Sequence, residues 1–398
     1  MTQLARTAIS FSLFALLACP CALAIDLEVT RLDGQLIRGR LVQLTPEIII
    51  ASADEDATLT WSEVLALRPL GVDEPSVSLT RDDPLRFELA DGSVFGARID
   101  SATDRGFTVR FQSGQTCRLT PSMLRAVHST TASEIARAEL VQIAAEPSRS
   151  EDVAVLERDS RVIVLRGVVR RIDSRYVLFA WKDRERPLPW ERIAGLRLAR
   201  PTPRRSSCTV HLHGGEVFGG RVIGGDEVTV TLQSSVFDGL RLPWSRIERI
   251  ECRSERLTFL SDLVPLRYDF TPFFQKRWNY ARDRTLMGRP IRLAGRHYAK
   301  GVTMHSRASL VYALRGQYRQ FAATAGVVDE MGGRGDVTLA VVGDGRVLWE
   351  AANVRGGEEP REVLVDVTGV RELSLHVDFG EGLDLSDHAC WALARLIR

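Results

Sequence analysis

The sequence predicts an all-β protein: repeated small SH3-like or Sm-like β-barrel units, closed by a β-sandwich of jelly-roll type. Three observations carry this. Residues 25–255 hold four related segments, each with turn residues followed by β-branched runs. Residues 257–398 hold short β runs separated by turn signals, with no helical period. Glycine outnumbers proline 31 to 16, which suits a turn-rich chain.

The four segments correspond at their ends. The first, 25–70, opens LEVTRLDGQLIRGRL and closes LTWSEVLAL. The second, 84–130, opens RFELADGSVFGARI and closes RLTPSMLRAV. The third, 151–200, closes PLPWERIAGL, and the fourth, 207–255, runs from TVHLHGGEVFGGRV to RLPWSRIERI. Spacing from turn to anchor is nearly constant: Gly34 to Trp61, Gly92 to Pro121, Ser160 to Trp190, Gly215 to Trp244. Asp-Gly and Gly-Gly turns suit hairpins that need positive φ. The Trp residues at 61, 190 and 244 are of a type that stacks on sugars. Their recurrence before Ile or Val favours packing in each small core instead.

Residues 131–150 break the pattern. Thr131 and Glu134 suggest a capping box, and Ala, Glu and Leu favour a helical connector. Pro201 to Ser207 reads as an extended linker.

The chain has 398 residues, which suggests two or three domains at about 150 residues each. With 44% hydrophobic and 26% charged residues it is not a disordered chain. Lys+Arg 53 against Asp+Glu 51 leaves a net charge of +2. That balance gives no electrostatic ground for nucleic acid or an anionic membrane as partner.

Residues 1–24 read as a secretory signal. Arg6 supplies the positive region, Ala8 to Ala18 the apolar run, and Ala22-Leu23-Ala24 the cleavage site. A second reading takes Leu16 to Cys19 as a lipobox with Cys19 lipidated. No later stretch is apolar enough to span a membrane. The expected location is therefore periplasm, cell envelope or outside the cell. Past the signal the cysteines are Cys117, Cys208, Cys252 and Cys390, an even set that permits disulfides in an exported protein. Cys208 and Cys252 flank the fourth segment and are one conceivable pair.

The C-terminal region carries an ordered set of motifs. FLSDL opens it at Phe259, and RDRTLMGRPIRLAGRHYAKGVTMHS spans Arg282 to Ser306. VVDEMGGRGDV follows from Val327 to Val337, then a hairpin through Gly343-Asp344-Gly345, then SDHACWALARL from Ser386 to Leu396. On these motifs, residues 257–398 resemble the NPCBM family of carbohydrate-binding modules. The resemblance implies a galactose-binding-like β-sandwich that binds sugar without catalysis. Cys390 stands where the family commonly has Asp, which weakens a ligand role at that position.

A sugar site needs an aromatic face and a few fixed polar groups. Trp278, Tyr280, His305, Asp387, His388 and Trp391 supply those types. For Trp391 a core role competes with a ligand role, and Asp387 with His388 can equally lock a loop to the sandwich. Trp278, in the irregular segment KRWNYARD, is the candidate exposed platform. Asp329 and Asp378 offer oxygen ligands for a structural calcium; no other cofactor is required.

No GxSxG, HExxH, P-loop or GxGxxG context is present, and no stretch remains for a catalytic domain. The expectation is an exported, non-catalytic protein that binds a galactose-like glycan through the sandwich. The repeats would be a spacer or protein-interaction scaffold, with other cell-envelope proteins as candidate partners. The alternative is an envelope assembly protein that does not bind sugar.

Overall fold

The computed structural model describes residues 25–52, 56–71, 84–145, 150–158, 161–182, 184–199, 206–273 and 277–398. The signal segment, Cys19 and most of the 201–207 linker lie outside the described residues.

The fourth segment illustrates how each unit forms. Its strands are Cys208–Leu212, Val217–Gly225, Thr229–Gln233, Leu240–Pro243 and Ile247–Cys252. The first strand pairs antiparallel with the second and with the last. The second bends, so that its later half pairs with the third, with a register shift between Val222 and Gly224. Near that bend Gly220 is required, because a Cβ there would stand 2.7 Å from the carbonyl oxygen of Gln233. Alternate residues point inward, among them Val210, Leu212, Phe218, Val222, Val230, Leu232 and Leu242. The same five-strand pairing runs through Asp26–Leu70, Leu85–Ser129 and Asp152–Arg197.

A 3-10 turn precedes the last strand at Pro121–Met123, Trp190–Arg192 and Trp244–Arg246. The Trp190 indole N–H donates to the Asp173 carbonyl at 2.8 Å, and Trp244 donates to Asp226 at 3.0 Å. These indoles tie the 3-10 turn to the loop before the third strand, and all three Trp pack on the shared core.

The units join out of sequence order. The last strand of the first pairs with that of the fourth, Leu67 opposite Ile250. The last strand of the second pairs with that of the third, Val127 opposite Leu196. Val94 and Val217 link second to fourth, backed by Phe95 stacked on Phe218 at 5.6 Å. The four units thus merge into one 20-stranded network around a shared core.

The connector is the helix Glu134–Ala145. Its cap differs from the expected Thr131: Ser133 Oγ accepts the Ala136 N–H at 3.2 Å. Ala136, Leu140 and Ile143 pack it onto Val153, Val155 and Ala194 of the third unit.

The C-terminal region is a two-sheet sandwich. One sheet runs Ala281–Arg282, Gly301–His305, His388–Ile397, Gln320–Val327, Arg361–Asp366, with Leu257–Phe259 also on the His388–Ile397 strand. The other runs Arg267–Phe270, Ala308–Ala313, Glu372–Phe379, Asp336–Gly343, Arg346–Arg355. Their inner faces share a core centred on Trp391, Tyr312, Phe321, Leu375 and Leu396.

Arg395 joins sandwich to barrels. It is buried, its Nε donates to the Leu32 carbonyl at 2.6 Å, and Leu32, Ala322 and Ile397 pack beside it. Burial lowers its pKa to about 10.

Candidate functional site

One end of the sandwich gathers aromatic and polar side chains from separate elements. His305 ends its strand and His388 begins the neighbouring one, and the two are register partners. Their ring centroids are 5.4 Å apart. Trp278 lies parallel to His305 at 5.3 Å and edge-on to His388 at 5.0 Å. Phe270, from the opposite sheet, meets His305 edge-on at 6.2 Å. Glu330, in the 3-10 turn Asp329–Met331, brings Oε1 to 3.8 Å from His388 Nδ1.

These groups are held, not loose. His305 is 4% exposed and His388 5%. His305 Nδ1–H donates to the Ser306 carbonyl, so Nε2 is an acceptor in the neutral ring. The Glu330 side chain is 9% exposed, and neither of its oxygens has a hydrogen-bond partner among the described residues.

Asp387 fixes this end. Ser306 Oγ–H donates to Asp387 Oδ2 at 2.7 Å, and the Asp336 N–H donates to Oδ1 at 3.0 Å. Three segments are thereby tied together: the one after His305, the one entering Asp336, and the one before His388. Gly335, at φ +99°, allows the close approach, since a Cβ there would meet the Ser386 carbonyl oxygen at 2.6 Å. Burial raises the Asp387 pKa to about 6, against the two hydrogen bonds.

Two expected ligand residues are therefore corrected. Trp391 is 0% exposed, in the core, edge-on to Trp349 at 5.9 Å, and cannot reach a ligand. Asp387 is 1% exposed with both oxygens engaged, so it positions the histidines without facing solvent. Tyr280 is half-buried against Tyr268, whose hydroxyl donates to the Trp278 carbonyl at 3.1 Å. It supports the Trp278 segment from behind. Trp278 itself is half-buried, less open than a bare platform.

The two carboxylates named for calcium have partners of their own. Asp329 Oδ2 accepts from the Gly295 N–H and sits 3.4 Å from Arg292 Nε, while Asp378 faces Arg307 at 3.8 Å. Each carboxylate has its own arginine. No group of three or more His, Cys, Asp or Glu among the described residues is placed to hold a metal ion. Cys390 lies in an apolar pocket with Ile291, Leu293 and Val328, away from solvent, and burial raises its thiol to about 12. The unusual residue at that position is thus a packing feature.

Glu330 lies within the VVDEMGGRGDV motif and was not among the residues expected at a sugar site. It sits just beyond the Gln320–Val327 strand, which runs beside the strand that begins at His388.

Residues 257–397 match the family model described as "NPCBM/NEW2 domain". The C-terminal region is an NPCBM/NEW2 domain. A curated protein of Renibacterium salmoninarum, provisionally named endo-alpha-N-acetylgalactosaminidase, is 27% identical over 110 residues. That match spans 28% of this chain and 7% of the relative. Among solved structures, CBM51 from Clostridium perfringens GH95 in complex with methyl-galactose is 25% identical, covering 35% of this chain and 99% of its own at a TM-score of 0.32. The CBM51-2 and INT domains of Clostridium perfringens ZmpB, in complex with GlcNAc, are 25% identical, covering 43% and 36% at a TM-score of 0.34. Outside the NPCBM domain, no described helix is long and apolar enough to cross a membrane.

Proposed function

We infer that this protein binds carbohydrate at the Trp278–His305–His388–Glu330 end of its NPCBM domain, as an exported, non-catalytic protein. The observation that carries the reading is the buried Glu330 carboxylate, whose oxygens lack donors among the described residues. A buried carboxylate without hydrogen bonds is costly. Glu330 Oε1 stands 3.8 Å from His388 Nδ1, so the carboxylate acts on a sugar through the imidazole it faces, while the half-buried Trp278 supplies the apolar face.

Binding without catalysis is supported by the charge arrangement. Glycoside hydrolysis ordinarily uses two carboxylates flanking the bond. Here Glu330 stands beside histidines, and the nearby Asp387 is occupied by Ser306 and Asp336. The ligand class is a galactose-like glycan. The four barrel units serve as a spacer or protein-interaction scaffold, with other cell-envelope proteins as partners. Export rests on the reading of residues 1–24.

Glycan-array screening of the full chain, with Glu330→Gln beside it, tests the reading. Recognition of galactose-containing glycans that fades in Glu330→Gln supports it. A blank array leaves the envelope assembly role as the better account.

A further inference from the structure

We propose that Cys208 and Cys252 are a modification site: a dithiol that a small disulfide converts to a cross-strand disulfide in the folded protein. The two residues are register partners on the first and last strands of the fourth unit. The Arg253 N–H donates to the Ser207 carbonyl at 2.7 Å, so the hydrogen-bonded position is the next one along. Cys208 and Cys252 therefore occupy a non-hydrogen-bonded pair, where Cα atoms stand about 4.5 Å apart and side chains share a face. That separation falls within the range of about 4.4–6.8 Å that a disulfide spans.

The thiols already interact. A hydrogen bond from Cys252 holds the Cys208 thiol below its usual pKa, and the same bond raises Cys252. Cys208, which lines the neighbouring cavity, is the thiol a small disulfide reaches first, and Cys252, directly across the strands, is the resolving thiol. By contrast, burial raises Cys117 and Cys390 to about 12, and among the described residues their register partners include Val109 and Thr303, not cysteines.

Access comes from a cavity of about 680 Å³ lined by Cys208, Trp61, Arg221, Val222 and Arg253 at the joint of the first and fourth units. A small disulfide such as oxidised glutathione is the co-reactant. The Cys208 thiolate attacks one of its sulfurs, the S–S bond breaks, and one glutathione thiolate leaves. Cys252 then attacks the Cys208 sulfur and releases the second glutathione, and its proton passes to a departing thiolate. Two protein thiols are oxidised and one glutathione disulfide is reduced to two thiols.

The test is incubation of the reduced, folded full chain with oxidised glutathione, followed by intact mass, thiol titration and non-reducing peptide mapping. The expected result is loss of two thiols, two hydrogens fewer in mass, and one linked peptide joining Cys208 to Cys252. In Cys252→Ser the reaction stops at a glutathione adduct on Cys208. The proposal is overturned if both thiols persist, if oxidation occurs only in denaturant, or if the linked peptide contains Cys117 or Cys390.

Discussion

The indole of Trp278 and the imidazole of His305 lie parallel within 6°, their centroids 5.3 Å apart. Trp278 is also edge-on to His388, so three rings from three chain segments form one unit. Such a unit orients the polar atoms a sugar would meet, and its members should not act independently. Trp278→Ala and His305→Ala should each weaken glycan binding by a few-fold to about tenfold. The double variant should lose less than the product of the two, as a calorimetric double-mutant cycle would report.

Glu330→Gln separates binding from stability. It keeps the size of the side chain and removes the charge. Affinity should fall by about tenfold to a hundredfold, since a hydrogen bond to a charged group contributes about 1.5–3 kcal/mol. The melting temperature should hold or rise, because a buried carboxylate without donors is relieved. A clear drop in melting temperature would mean that Glu330 is a structural partner of His388.

Trp391→Ala should act the other way. A fully buried Trp removed from the sandwich core costs about 3–5 kcal/mol. Chemical denaturation should detect this directly. A variant of unchanged stability that has lost binding would put Trp391 at the ligand after all.

The sandwich was legible because its strands are short, apolar and separated by turn signals. Gln320–Val327 is one such strand, and the expected hairpin through Asp344-Gly345 joins the strands ending at Gly343 and beginning at Arg346. His305 and Trp278 were legible as residue types on a resemblance. Glu330 was not, because its contact with His388 depends on how a loop folds across neighbouring strands. For Trp391 and Asp387 the sequence left a structural and a ligand role open, because it gives a polar or aromatic side chain but not the face it occupies. The pairing of first with fourth and second with third barrel units was likewise invisible. It rests on edge contacts such as Leu67 with Ile250, between segments far apart in the chain.

Asp387 predicts a pH signature. Its folded pKa of about 6 lies above the ordinary 3.8. The folded state therefore keeps a proton that the unfolded state has released, and stability from this group is lost as pH rises through 4 to 6. Asn at this position stays neutral, can still accept the Asp336 N–H, and can donate to Ser306 Oγ. Asp387→Asn should thus be the more stable protein at pH 7.5, with the difference shrinking to about half by pH 5. Parallel melting curves at both pH values check this; a difference that stays constant would contradict it.

The most direct measurement is a calorimetric titration of the full chain with a galactose-containing oligosaccharide, run beside folded Trp278→Ala. The account predicts saturable binding at one site on the NPCBM domain, with affinity lowered in the variant. Equal binding by both proteins would move the site away from Trp278, and no binding to either would contradict the carbohydrate-binding function itself.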